Sequence, residues 1–284
     1  MNRPPVVTGT PGIRLLASDL DGTLLRSDNT VSDATRQALV AAEQAGLIIA
    51  FVTGRPPRWL HEVASATGHT GIAVGANGAV TYDLHTETVL AEHQLSPVQL
   101  EQVTGLLRAA IPQVRFGMEY GTDFAYEPGY RHDWELTPAE DGSGRPLPSV
   151  RTAELPELLD KPVIKLLAKG RDLHPDRFMD EVELLVGQLV TVTRSGHSPL
   201  VEISPLGVTK ASGLAELAGS LGVGREQVAA IGDMPNDVPM LAWAGRSYAV
   251  ANAHPSARQA ADEVLAESND EDAVAKLIWR LLDR

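Results

Sequence analysis

Two aspartates one residue apart, Asp19 and Asp21, follow an apolar run in "LLASDLDGTLL" (Leu15 to Leu25), with Gly22 and Thr23 next to them. Carboxylates this close repel each other, so the pair is either turn chemistry or a place for something positive. Further polar groups end other apolar runs: Thr53-Gly54-Arg55 after "LIIAFV" and Gly232-Asp233 after "VAAI". The loop "GDMPND" adds Asn236 and Asp237, and Lys210 opens the helix before it. Without a cation, Asp19, Asp21 and Asp233 together are strongly self-repelling. Carboxylates, a backbone carbonyl and waters suit Mg²⁺, which takes few protein ligands and keeps room for a phosphate oxygen. Thr53 can hydrogen-bond a phosphate oxygen, and Lys210 can neutralise charge as a compact ammonium. Such a set provides what phosphoryl transfer requires: positioning, charge neutralisation and an in-line nucleophile. In that chemistry one aspartate attacks phosphorus while its neighbour handles the proton of the leaving or attacking oxygen.

The elements that must bring these residues together are legible in the hydrophobic pattern. Ile13 to Ser18 reads as a strand buried on both faces of a parallel sheet. Ser32 can cap a helix through "DATRQALVAAEQA" that Gly46 is placed to end. A second buried run, a helix near Pro57 to Thr67, and strand-like "GIAVGANGA" and "VTYD" follow, implying parallel βαβ units. After Thr209 the same rhythm returns through "KASGLAELAGSLG", "VAAIGD", a short helix, "SYAVA" and a last helix from Asp270. In open parallel sheets ligands bind beyond the carboxyl ends of the strands, which is where the polar groups above fall.

The middle of the chain reads as α+β. A helix near Pro97 to Ala110 precedes strand-like "QVRFGMEY" and "DFAYE", and "PAEDGSGRPLPS" (Pro138 to Ser149) reads as a loop. "VIKLLAK", a helix over "PDRFMDEVELLVGQL", and an antiparallel hairpin of "VTVTRS" and "LVEIS" around Gly196 complete it. The expected fold class is α/β, a doubly wound, Rossmann-like parallel-sheet core with an inserted α+β domain. The expected boundaries are 1–86 for the first part of the core (1–11 a loose tail), 87–204 for the insertion and 205–284 for the rest of the core.

The 284 residues are comfortable for two domains, and 43% hydrophobic with 21% charged content is that of a globular protein. A net charge of -13 argues against nucleic acid or an anionic membrane as the main partner. A small anionic substrate stays compatible, because a metal ion and local cations can reverse the field within one cleft. There is no cysteine, hence no disulfide or thiolate chemistry, and the longest apolar run is far too short to span a bilayer. A soluble, cytoplasmic protein is expected.

"DLDGTLL", "TGR", the lysine of "GVTKASGL" and "GDMPNDVPML" resemble the four motifs of the haloacid dehalogenase superfamily of phosphatases. "ANGA" after the third strand, the long insertion there, and "AVANAHPSARQAADEVLAESND" are similar to its Cof-type (class IIB) branch of sugar-phosphate phosphatases. The resemblance covers nearly the whole chain. It implies that Asp19 is the nucleophile that becomes an aspartyl phosphate, and that Asp21 is the general acid/base and lends its backbone carbonyl to Mg²⁺. It also implies that Thr53, with Gly54, Arg55, Asn77 of "ANGA" and Asn236, binds phosphate or substrate, and that Lys210 stabilises Asp19 and the transferring group. Asp233 would ligate Mg²⁺, with Asp237 supporting the metal site. The eleven residues between Asp21 and Asp33 leave no room for a cap there, so closure falls to the later insertion. Pro56-Pro57 stiffens the exit from "TGR", and Pro235 fixes its loop while removing a backbone donor.

Other roles are open at this level. Arg55 is either a surface charge or faces the substrate. In "EYGTDFAYEPGYRHDW" the aromatic stripe is a small domain's core or a specificity wall. Phe124 is read as packing, with Tyr126, Tyr130, Arg131 and His132 as candidates for the wall. Arg194 and His197 read as a solvated turn, and the eight histidines show no pairing that suggests zinc. The function expected is a Mg²⁺-dependent phosphatase for small phosphorylated metabolites, sugar phosphates being the first class to test. The alternative is a phosphohexomutase, similar to phosphomannomutases, using the same aspartate pair. More remote are a phospho-accepting signalling protein, in which the long insertion and Asp21 would have no purpose, and a binding protein, which would not need every motif residue. The sequence leaves the oligomeric state open.

Overall fold

The computed structural model describes residues 12–121, 123–130, 150–170, 173–196 and 198–283. The tail 1–11, the 138–149 loop, Arg131, His132 and His197 lie outside them.

The larger sheet has eight strands: β1 (Leu15–Ser18), β2 (Ile48–Val52), β3 (Ile72–Gly75), β4 (Val80–Asp83), β5 (Thr88–Glu92), and three that return late in the chain. Its order places the late strands first, then β1, β2, β3, β4 and β5. The late strand over Val228–Gly232 lies parallel to β1, which lies parallel to β2, and β2 to β3. The doubly wound core is therefore present, with β1 at its centre. Leu15, Leu16, Ala17, Ile49, Ala50, Phe51 and Val52 are buried within one apolar cluster. Helices α1 (Asp33–Gln44) and α2 (Pro57–Thr67) connect these strands. Ser32 caps α1 by accepting from the Thr35 amide, and Gly46 takes φ +80° just beyond its end.

β4 returns antiparallel to β3, and β5 antiparallel to β4. This corrects the boundary at residue 87, because 88–92 belongs to the core sheet. The strand escaped notice because it is an exposed edge without a buried face.

The insertion builds its own six-stranded sheet from β6 (Arg115–Glu119), β7 (Phe124–Tyr126), β8 (Val150–Thr152), β9 (Lys165–Lys169), β10 (Val190–Thr193) and β11 (Leu200–Pro205). β10 and β11 form the expected antiparallel hairpin. Helices α3 (Pro97–Ala110), the short α4 (Leu155–Leu158) and α5 (Pro175–Val186) belong to it, and Leu100, Leu107, Phe116, Leu166, Phe178 and Val201 lie in a second, separate apolar cluster. α6 (Lys210–Ser220) brings the chain back to the core. β12 (Val228–Gly232), α7 (Val238–Trp243), β13 (Arg246–Ala249), α8 (Pro255–Ala260), β14 (Glu263–Val264) and α9 (Ala273–Leu282) follow. α9 starts three residues later than the expected Asp270, after Asp272 at φ +62°.

One close approach fixes the site. The "ANGA" turn packs on the first turn of α6, so that a Cβ on Gly78 (φ +101°) would lie 2.0 Å from the Thr209 carbonyl oxygen. On the helix side, a Cβ on Gly213 is excluded in turn, since it would come 2.6 Å from Val74 Cγ1 and 2.8 Å from Gly78 Cα. Lys210 is the first residue of that helix, so this contact sets where its ammonium emerges. Gly78→Ala is expected to destabilise by on the order of 3–5 kcal/mol, overpacking and backbone strain acting together. Gly46→Ala, with positive φ but open space around it, should cost only about 1 kcal/mol. Denaturant titration of both variants checks this; equal losses would show that the turn–helix contact is not a constraint.

Candidate active site

Asp19 follows the last residue of β1, Thr53 follows β2, Asn77 lies in the turn after β3, and Asp233 follows β12. Parallel strands deliver these residues to one edge, and the chain between Gly22 and Asn77 gives that edge its turns. The turn at 20–24 bends sharply at Gly22 (φ +75°), where a Cβ would meet Asp233 Oδ2 at 2.5 Å. Glycine is thus required for the loop of Asp21 to pass beside Asp233.

The centre is a buried lysine. Lys210 Nζ donates to Asp19 Oδ1 at 2.7 Å and to Asp237 Oδ1 at 2.6 Å, with all three side chains buried. Asp237 Oδ2 accepts from the Asp233 and Met234 amides at 3.0 and 2.9 Å. Asp233 Oδ1 accepts from Thr23 Oγ1 at 2.8 Å. Oxygens of Asp19, Asp233 and Asp237 lie within 4.8 Å of one another. Burial, then the charges of Asp237, Asp233 and Asp21, push the Asp19 carboxyl well above the usual range despite Lys210. Burial and Asp237 push Asp233 up to about 6, against the pull of Thr23, Lys210 and Asp19. Burial also disfavours the Lys210 ammonium, but Asp19 and Asp237 overcome it and raise its pKa. Three buried carboxylates facing one ammonium leave uncompensated negative charge, and the all-oxygen donor set fits a hard divalent cation.

Asp21 stands apart from this cluster. Its side chain is half exposed and receives the Arg55 guanidinium in a bidentate pair, Nε to Oδ2 at 2.9 Å and Nη2 to Oδ1 at 2.5 Å. Arg55 therefore faces the site rather than solvent. Thr53 is fully buried, and its Oγ1 accepts from the Arg55 amide at 3.1 Å, closing the turn. Asn77, at φ +56°, donates through Nδ2 to Glu202 Oε2 and Thr193 Oγ1 and accepts from Asn236 Nδ2 at 3.0 Å. Asn236 Oδ1 is buried with no protein partner, an acceptor left at the floor of the site.

A cavity of about 170 Å³ opens over this floor between the two sheets. Asp19, Asp21, Arg55 and Asn236 line its core side, and Lys165, Leu167, Leu200 and Glu202 line the other, with Trp59 at the wall. Lys165 and Glu202 form a buried ion pair at 2.6 Å that sequence reading missed. The signal was present as a charged residue inside each of two otherwise apolar strands, "VIKLLAK" and "LVEIS". A second buried pair, Arg58 with Glu119, also joins α2 to β6, and Arg58 stacks over the Trp59 and Phe124 rings. Phe124 and Tyr130 pack edge-to-face in a small cluster with Tyr126 beside them. Arg194, read as solvated, is buried and paired with Asp176 at 2.7 Å; its partner lies on α5, distant in sequence.

The chain belongs to the haloacid dehalogenase-like hydrolase family, matching it over residues 16–278. The 5-amino-6-(5-phospho-D-ribitylamino)uracil phosphatase YcsE of Bacillus subtilis is 30% identical over 269 residues, 94% of each chain. The pyridoxal phosphate phosphatase YbhA of Escherichia coli is 30% identical over 278 residues, covering 94% of this chain and 97% of its own. Among solved structures, SMU.1108c of Streptococcus mutans UA159 matches 96% of this chain and 100% of its own, with TM-score 0.82 at 22% identity. The subclass IIB sugar phosphatase BT4131 gives TM-score 0.76 at 21% identity over 94% of this chain and 98% of its own, a likeness of fold. The chain is therefore a phosphatase of this family, a phosphoric monoester hydrolase. No helix among the described residues is long and apolar enough to cross a membrane.

The raised Asp233 pKa has a stability consequence. Its folded value of about 6 lies above the unfolded value of 3.8, so the metal-free fold carries a penalty that is absent below about pH 4 and complete above about pH 6. Asp233→Asn is therefore expected to stabilise EDTA-treated protein at pH 7.5 by up to about 3 kcal/mol, read as a higher unfolding midpoint. The difference should vanish near pH 4. Thermal unfolding at the two pH values checks it; an equal effect at both would contradict the electrostatic origin.

Proposed function

We propose that this chain is a Mg²⁺-dependent phosphatase of small phosphorylated metabolites that works through an aspartyl phosphate on Asp19. The observation that carries this reading is the Lys210 bridge, which holds one oxygen of Asp19 and places it among buried carboxylates at the floor of a cavity. Asp19 and Asp233 would hold Mg²⁺ with the Asp21 backbone carbonyl; Asp237, whose oxygens are taken by Lys210 and two amides, orients the loop. When bound, the ion supplies charge neutralisation at the phosphoryl oxygens.

The protein's own groups do the rest. The Asp19 oxygen not engaged by Lys210 attacks phosphorus, and the P–O bond to the leaving alcohol breaks. Asp21 gives that alcohol its proton. Water then loses a proton to Asp21 and opens the acyl phosphate, returning both aspartates to their starting states. Asp21 begins as a carboxylate bound to Arg55; an anionic phosphoryl group drawn to the same guanidinium frees it to take up the proton that it gives to the alcohol, and after water has protonated it again it releases that proton to solvent on rebinding Arg55. Lys210 keeps Asp19 oriented while Thr53, Gly54, Asn77 and Asn236 frame the phosphoryl group.

The inserted sheet supplies the opposite wall of the cavity, where it excludes bulk water and reads the leaving group. That wall mixes ionic and apolar side chains, and Trp59 of α2 lines the same cavity as Leu167 and Leu200. Sugar phosphates are the first class to test. Ribityl-type and heteroaromatic phosphate esters, in line with the named activities of YcsE and YbhA, are the second.

Phosphate release from such a panel is expected to require Mg²⁺ and to fall by at least about 10³-fold in Asp19→Asn, as for loss of a covalent nucleophile. Release that persists in Asp19→Asn would overturn the mechanism. Conversion of one hexose phosphate to another without release would favour a mutase.

A further inference from the structure

The Lys165–Glu202 pair belongs to the inserted sheet, yet both of its members also bond to the core. Lys165, on β9, is 2% exposed and donates to the Gly54 carbonyl at 2.5 Å as well as to Glu202. Glu202, on β11, is 6% exposed and accepts from Asn77 Nδ2 at 3.0 Å through its second oxygen. Asn77 in turn holds Asn236. One unbroken chain of hydrogen bonds thus runs from Gly54 in the loop after β2, through the two cap residues, to the turn after β3 and the acidic loop after β12.

A buried ion pair is a poor way to hold a cap sheet together, since well-packed apolar residues of similar size stabilise at least as well. What the pair does provide is direction. Each member fixes a group of the core that frames the cavity floor, and both also line the cavity. Space is tight around it: a Cβ on Gly54 would lie 3.2 Å from Asn77 Oδ1 and 3.6 Å from Glu202 Oε1. The opposite charges close on each other at 2.6 Å, so neither is left over to bind a substrate charge.

We propose that Lys165 and Glu202 are a positioning pair for phosphoryl transfer: seating the cap sheet fixes the Thr53–Arg55 loop and the Asn77–Asn236 amides, so cap docking and assembly of the phosphate site are one event. The inference rests on the phosphatase reading above. Neither residue touches the reacting atoms; both act through Gly54 and Asn77.

The test uses full-length Lys165→Met, Glu202→Leu and the double variant, with the wild type. The double variant removes both buried charges together, so it folds even where a single variant leaves an unpaired charge. Its unfolding midpoint should be at or above that of the wild type. On an ester that the wild type hydrolyses, kcat should fall about 100-fold with KM changed far less, the scale of a misplaced reacting group. The two single variants, where folded, should each lose about as much as the double, because the pair acts as one unit. Inorganic phosphate binding, read by calorimetry, should weaken about 10-fold or more in the double variant, a readout that does not depend on turnover. A stably folded double variant with wild-type kcat and wild-type phosphate affinity would overturn the proposal. A wild type without phosphatase activity but with the expected phosphate-affinity loss in the variant would instead count against the phosphatase reading.

Discussion

Everything at this site depends on one lysine ammonium held in a dry place. Lys210 sits between Asp19 and Asp237, and without it three buried carboxylates would face one another with no internal counter-charge. An ammonium this buried is itself expensive, and only two close carboxylates make it tolerable. The arrangement is therefore mutually dependent, and it stays negative overall. That residual charge makes the floor a cation site, and the cation and lysine together make it a phosphate site. Folding has thus been traded against function: the raised pKa values of Asp19 and Asp233 measure the electrostatic cost of keeping the site ready.

The fold exists around this site in a definite sense. Parallel strands with β1 at the centre bring four loops to one edge, but the loops alone do not fix distances. The contact of Gly78 with the start of α6 and the passage of Gly22 beside Asp233 do, because no side chain fits at either place. Above the floor, the inserted sheet is more than a cover. Two of its buried ion pairs, Arg58–Glu119 and Lys165–Glu202, involve contacts across to the core, on α2 and on Gly54. Charged contacts of this kind are directional and can separate into water, which suits a surface that must part to exchange substrate and product.

Much of this was legible in the sequence, and what was not has physical reasons. Asp19, Thr53 and Asp233 could be placed because each sits at the end of an apolar run, a local pattern that reports where a buried strand stops, and Lys210 because it opens a helix. The hairpin around Gly196 was visible in its alternation. β5 was missed because an exposed edge strand has no buried face to impose a period. The pairing of Arg194 with Asp176 and of Lys165 with Glu202 joins residues from different elements, which no local window contains. The bidentate hold of Arg55 on Asp21 likewise follows from β1 and β2 lying side by side. The roles of Tyr126 and Tyr130 turned on packing within the insertion, where Tyr130 proves buried in an aromatic cluster with Phe124.

The most direct measurement is to stop the enzyme with acid during steady turnover of a good ester and locate the acyl phosphate by peptide mass spectrometry, as the homoserine that borohydride reduction leaves in place of the phosphorylated aspartate. The account places the modification on Asp19 alone, at a level that falls as the chase proceeds. Phosphoryl label on another residue, or sustained turnover with no label on Asp19, would contradict it.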